Sequence, residues 1–178
     1  MPSDYGKGKT SCFVRFRSEN NPVNDETGTP LTEITSRRRN GLRAHVSVKI
    51  TDWLTVQDRL EAAWVTTGEG SPDRGLMGYQ DLSYHPLHLP LTLDFRLAWF
   101  NTGSYDSRIY AYEKDMSSGF SFSPLYSKGI RSYAMVRWDL SDHFTLRFRV
   151  SHSLFSDKSV IGTGLDEIQG SGKTEFKL

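Results

Sequence analysis

Apolar and polar residues alternate at every second position through most of the chain, and helical spacing of apolar residues is nearly absent. From Leu42 to Thr51, Leu42, Ala44, Val46, Val48 and Ile50 fall on one side, opposite Arg43, His45, Ser47, Lys49 and Thr51. Leu91, Leu93, Phe95, Leu97 and Trp99 oppose Thr92, Asp94, Arg96, Ala98 and Phe100. Ile130, Ala134, Val136, Trp138 and Leu140 oppose Arg131, Tyr133, Arg137 and Asp139, and Phe144, Leu146, Phe148 and Val150 oppose Thr145, Arg147 and Arg149. Cys12, Val14 and Phe16 stand against Arg15 and Arg17. Weaker alternation runs over Leu54 to Val65, Gly75 to Pro86 and Thr174 to Leu178, giving eight predicted strands in all.

The connections sort by length. Thr51-Asp52-Trp53, Pro86-Leu87-His88-Leu89-Pro90 and Ser141-Asp142-His143 are short. Asn20 to Thr35, Gly68 to Arg74, Asn101 to Lys128 and Ser156 to Lys173 are long, and rich in Gly, Ser, Asp, Asn and Pro. Short and long links alternate, so antiparallel strands threaded up and down put all short turns at one end. That is the layout of an outer-membrane barrel. The expectation is an all-β fold, an antiparallel up-and-down transmembrane β-barrel of about eight strands, incomplete as a barrel. Residues 1–178 form a single unit, with 1–10 as an N-terminal extension and 102–127 as an extracellular excursion.

Two features favour lipid over a soluble sandwich. Trp53, Tyr84, Trp138 and Phe144 lie beside the short turns, and Trp64 and Trp99 near the other ends of their strands. Aromatic girdles at both interfaces have this arrangement. The opposite face is crowded with Arg15, Arg17, Arg43, Arg59, Arg96, Arg131, Arg137, Arg147 and Arg149, together with Glu61, Asp81, Asp94 and Asp139. Guanidinium forks suit ion-pair networks, here a polar lumen network. Asp58 falls on the apolar face, and a bulge near Gln57 is expected to turn it inward.

Composition changes the picture less than the pattern does. A mean hydropathy of -0.51 suggests an ordinary soluble chain, but alternation and polar loops dilute any lipid-facing band. With 22 Lys+Arg against 21 Asp+Glu, the chain lacks the basic excess of a nucleic-acid binder, so no nucleic acid is expected to bind this segment. The single Cys12 excludes an internal disulfide and a multi-cysteine metal site.

Several runs carry a family resemblance: Tyr79-Gln80-Asp81-Leu82-Ser83-Tyr84 with Leu89-Pro90-Leu91; Tyr105-Asp106-Ser107-Arg108-Ile109-Tyr110-Ala111-Tyr112-Glu113; Lys128-Gly129-Ile130-Arg131; and Gly162-Thr163-Gly164-Leu165-Asp166-Glu167-Ile168. From about Ser11 onward the chain resembles the C-terminal β-barrel region of Bacteroidota helix-hairpin-helix domain-containing outer-membrane proteins. The resemblance implies an outer-membrane β-barrel in the cell envelope and assigns no molecular activity. Against that pattern, the chain shows no signal peptide or helix-hairpin-helix segment, and it ends at Leu178 rather than on a terminal aromatic residue. It is therefore expected to be a fragment, with N-terminal barrel strands or domains missing.

Candidate chemistry is sparse. His45, His85, His88, His143 and His152 lack metal-ligand spacing, so no metal or cofactor is expected. No nucleophile-elbow sequence supports a Ser–His hydrolase, which stands third among the functional readings. Between Ser104 and Phe122, interleaved aromatic and charged residues include Tyr105, Arg108, Tyr110 and Tyr112, which could contact a glycan or peptide. The plainer expectation there is a hairpin extending the wall above the membrane. Arg37-Arg38-Arg39 reads either as a rim patch for lipopolysaccharide phosphates or as a solvated run. The leading expectation is a non-catalytic porin- or transporter-like barrel whose partners are outer-membrane lipid and lipopolysaccharide. The alternative is a soluble or surface β-sheet module binding glycan or peptide.

Overall fold

The structure is a computed structural model that describes residues 9–24, 34–116, 120–162, 164 and 167–178. Twelve strands are present among them. Eight form one antiparallel sheet: β1 (Thr10–Asn24), β2 (Ile34–Thr51), β3 (Leu54–Thr67), β4 (Asp73–Tyr84), β5 (Leu91–Thr102), β8 (Lys128–Ser141), β9 (Phe144–Phe155) and β12 (Gly172–Lys177), in that spatial order. β6 (Ile109–Lys114) and β7 (Phe120–Leu125) pair as a hairpin inserted between β5 and β8, and β10 (Val160–Ile161) pairs with β11 (Ile168–Gln169). No α-helix occurs among the described residues.

All eight predicted wall strands are found, and each is a strand of the large sheet. The two-residue turns Asp52-Trp53 and Asp142-His143 and the short link from β4 to β5 all lie at one end. Strand boundaries run further than alternation suggests. β1 continues to Asn24 and β2 starts at Ile34, because the ladder persists through polar pairs such as Asn20 with Arg38 and Glu19 with Arg39. Backbone hydrogen bonding does not need an apolar face, so the sheet outlasts its hydrophobic stripe. The N-terminal extension accordingly ends at Lys9, and its residues 1–8 lie outside the described part. The same holds for Thr163, Leu165 and Asp166 of the glycine-containing run.

The bulge expected near Gln57 is absent. Register is continuous from Thr55 to Val65 against both neighbours, so Asp58 stays on the apolar face, where Gln80 Nε2 donates to its carboxylate at 3.0 Å. A cross-strand amide satisfies the carboxylate in place, and no local re-aiming of the strand is needed.

Segment 102–127 also differs from expectation. Its hairpin does not extend the wall but lies against the charged face of the sheet. The buried cluster of the molecule forms there, from Ala63, Met77 and Phe100 of the sheet with Ile109, Ala111 and Leu125 of the hairpin. Gly75 permits this docking, since a Cβ at that position would collide with the Ser107 carbonyl oxygen at the base of the hairpin. On the other face, Trp99 lies across Gly78, where a Cβ would stand 2.7 Å from its indole nitrogen.

Candidate functional site

Strand parity and register bring all thirteen residues of the predicted polar network onto one face of the sheet. Only part of the network is cross-strand. Arg96 forms a two-pronged pair with Asp81, both bonds at 2.5 Å, and Arg43 reaches Glu61 at 2.8 and 3.3 Å. Glu61 is shared with Arg59. Arg137 pairs with Asp139 at 3.1 Å near the short-turn end, where both are largely solvated. Arg147 donates instead to the Met116 carbonyl at 2.5 Å.

The hairpin supplies the remaining partners. Arg59 donates to the Tyr110 carbonyl at 3.1 Å, and Arg96 to the Tyr112 carbonyl. Glu113, only 2% exposed, accepts from Arg131 at 2.6 and 3.0 Å and from Arg149 at 2.5 Å. Arg131 also donates to Ser153 Oγ at 2.7 Å. Lys114 bonds Asp94 and, at 3.0 Å, Ser83. Beyond the strand, Lys177 of β12 holds both carboxylate oxygens of Asp115 at 2.9 Å. Burial would raise the Asp115 pKa, but the Lys177 hydrogen bond, the Met116 amide and the charges of Lys177 and Arg149 outweigh it, leaving the group below its ordinary value. Aromatic rings add to the clamp, with the Arg96 guanidinium 3.8 Å from the Tyr79 ring centre and Arg149 5.0 Å from that of Tyr133.

Glu113 as the hub was not foreseen by alternation alone. The available signal was a change along the charged face itself, which becomes apolar at Ala63, Val65, Met77, Ala98 and Phe100 toward the long-loop end. Apolar positions on an otherwise charged face call for something to cover them.

The Arg37-Arg38-Arg39 run is divided by strand parity. Arg37 pairs with Asp106 at 2.9 Å, and Arg39 donates to the Asp106 and Arg108 carbonyls at 2.7 and 2.6 Å. Two of the three thus fasten the base of the hairpin, and Arg38 alone is exposed on the other side. The predicted loop contacts separate similarly. Tyr105 packs edge-on against Tyr126 at 5.2 Å, whereas Arg108, Tyr110 and Tyr112 border a cavity of about 540 Å³ between the hairpin and strands β1 to β3. Arg15, Arg17, Arg39 and Arg43 line it as well, with Glu19 and Glu61. Arg108 donates to the Tyr110 hydroxyl at 2.7 Å and to the Tyr105 carbonyl at 2.7 Å.

Five of the six girdle aromatics, Trp64, Tyr84, Trp99, Trp138 and Phe144, fall on the opposite, apolar face, and Trp53, in the turn before β3, meets Tyr84 edge to face at 5.4 Å. His45 rests 5.2 Å from the Phe13 ring, His85 bonds Thr92 and His152 bonds Thr174. No grouping of three His, Cys, Asp or Glu suited to a metal occurs among the described residues.

Fold and site together define an all-β protein, built on an eight-stranded antiparallel sheet with one charged and one apolar face. A scan against protein-family models and searches of curated proteins and of solved structures found no match.

Proposed function

We propose that the chain is the wall of an outer-membrane β-barrel of porin- or transporter-like class, its apolar face in lipid and its charged face toward a lumen. The carrying observation is an inversion of the usual burial. Arg59, Arg96, Arg149 and Glu113 are at most 4% exposed, while Leu60, Leu97 and Ile130 on the other face are 57%, 49% and 49% exposed. A protein in water rarely leaves so broad an apolar face open while it buries charge. Strands of 12 to 18 residues in the five consecutive wall positions β1 to β5 exceed the ~9–11 that a tilted membrane strand needs. Outer-membrane lipid contacts the apolar face, and lipopolysaccharide the rim. The hairpin plugs the lumen, and no catalytic role is assigned to it. The resemblance of the Tyr105–Glu113 and Tyr79–Tyr84 runs supplies the particular family, the Bacteroidota helix-hairpin-helix envelope proteins.

A folded barrel of this kind migrates differently in unboiled and boiled electrophoresis samples and fractionates with the outer membrane. Recovery of the protein from the cytosol, stable without detergent, contradicts the reading. That outcome favours a soluble β-sheet module for glycan or peptide, which the cavity bordered by Arg108, Tyr110 and Tyr112 would then serve.

A further inference from the structure

Charge is balanced unevenly over the hairpin-bearing face. On the side of β5, β8, β9 and β12, cations meet carboxylates: Arg96 with Asp81, Arg131 and Arg149 with Glu113, Lys177 with Asp115. Toward β1 and β2 the pairing is incomplete: Arg17 meets Glu19, Arg37 meets Asp106 and Arg43 meets Glu61, but three other guanidinium groups meet no carboxylate. Arg39 spends its guanidinium on backbone carbonyls, and Arg108 on a carbonyl and a tyrosine hydroxyl. Arg15 lies 5.6 Å from the Phe13 ring centre. None of these three pairs with a carboxylate among the described residues, and all three line the same cavity. The five guanidinium groups around it face only two carboxylates, one of them Glu61, which Arg59 also engages.

We propose that this cavity binds an acidic saccharide, of one to three sugar rings bearing carboxylate or phosphate groups. Guanidinium forks match both anions in two-pronged geometry. Tyr110 and Tyr112, two residues apart on β6, present their rings on one side of that strand, where sugar rings pack by their C–H faces. A volume of about 540 Å³ is that of a small-molecule site, not of a macromolecular groove. A polynucleotide is disfavoured because the chain's net charge of +1 gives no overall basic excess. The site depends on the hairpin-bearing face alone, so it stands whether or not the apolar face contacts lipid.

Isothermal titration of the full chain with trigalacturonate, glucose 1,6-bisphosphate, neutral maltotriose and a thymidine oligonucleotide tests it. One of the two acidic sugars binds at least about tenfold more tightly than maltotriose, and the advantage shrinks with added salt. Which of the two wins identifies the anion. The exposed Arg15→Gln combined with Arg108→Gln weakens that binding by about tenfold or more, whereas Arg137→Gln, on the same face but outside the cavity, leaves it unchanged. Circular dichroism confirms that both variants keep their strand content. Equal binding of maltotriose, tighter binding of the oligonucleotide, no binding of either acidic sugar, or full binding by the folded double variant each overturns the proposal.

Discussion

Glu113 is a single carboxylate between two buried guanidinium groups, at 2.6 Å from Arg131 and 2.5 Å from Arg149. Its neighbours set what its loss does. Glu113→Ala leaves two buried cations with only distant counter-charges, Glu175 at 3.8 Å from Arg131 and Asp115 at 4.0 Å from Arg149, so it is expected to destabilise the chain by about 3–5 kcal/mol. The denaturation midpoint measures this, and an unchanged midpoint would show that the pair is not buried in solution. Asp115, two residues further along the chain, is a milder case. Its depressed pKa contributes stability above the ordinary carboxylate value of 3.8, and that contribution fades as pH falls through the lowered folded value. Lys177→Met is expected to return the Asp115 titration, followed by carboxyl NMR, toward the ordinary range. The accompanying stability loss stays below about 1 kcal/mol, because an ion pair this open to solvent is screened.

At the scale of elements, the question is why a hairpin flattens itself onto a wall of arginines. Donors on the sheet meet carbonyls on the strand edge. Arg59 and Arg96 bond the Tyr110 and Tyr112 carbonyls while Ile109 and Ala111 fill the apolar patch over Ala63, Met77 and Phe100. The approach is close enough at Gly75 that Gly75→Ala should push the Ser107 carbonyl away. The expected cost is about 1–3 kcal/mol, with faster amide exchange across Ile109 to Lys114 and unchanged protection in β8 and β9.

The hairpin also marks where the sequence stops being legible. The eight wall strands follow from period-2 alternation, because a strand with one apolar and one charged face can be written in no other way. Ile109, Ala111 and Glu113 alternate just as regularly with Tyr110, Tyr112 and Lys114, so the segment reads as more wall. Which surface it meets is a matter of long-range pairing, such as Glu113 with Arg131 and Arg149; the sequence pattern shows that Ala63, Met77 and Phe100 need a cover, not which segment supplies it. Asp58 teaches the same lesson on the other face. Its cross-strand partner Gln80 is 22 residues away, and only the register reveals that the carboxylate is satisfied without a bulge.

For the whole molecule, the organising fact is the inversion of its two faces. The apolar face holds Leu42, Leu60, Leu82, Phe95, Leu97, Ile130, Leu146 and Phe148, all exposed, and runs from β2 to β9, broken by the polar pairs Asp58 with Gln80 and Ser132 with His152. β1 and β12 are the edges of the sheet and are not paired with each other. An edge of 15 residues with free backbone groups is a strong template for another strand, and closure there would complete a barrel. The central claim concerns what the apolar face touches. It is tested most directly by placing a fluorophore on single cysteines in a Cys12→Ser background, with the full chain in lipid vesicles. Labels at Leu93→Cys, Leu97→Cys, Ile130→Cys and Phe148→Cys are expected to be quenched by nitroxide on lipid tails and shielded from aqueous iodide. Labels at Thr92→Cys, Arg137→Cys and Thr145→Cys should show the reverse. Iodide quenching both sets alike, with no effect of the lipid-borne quencher, would contradict the account.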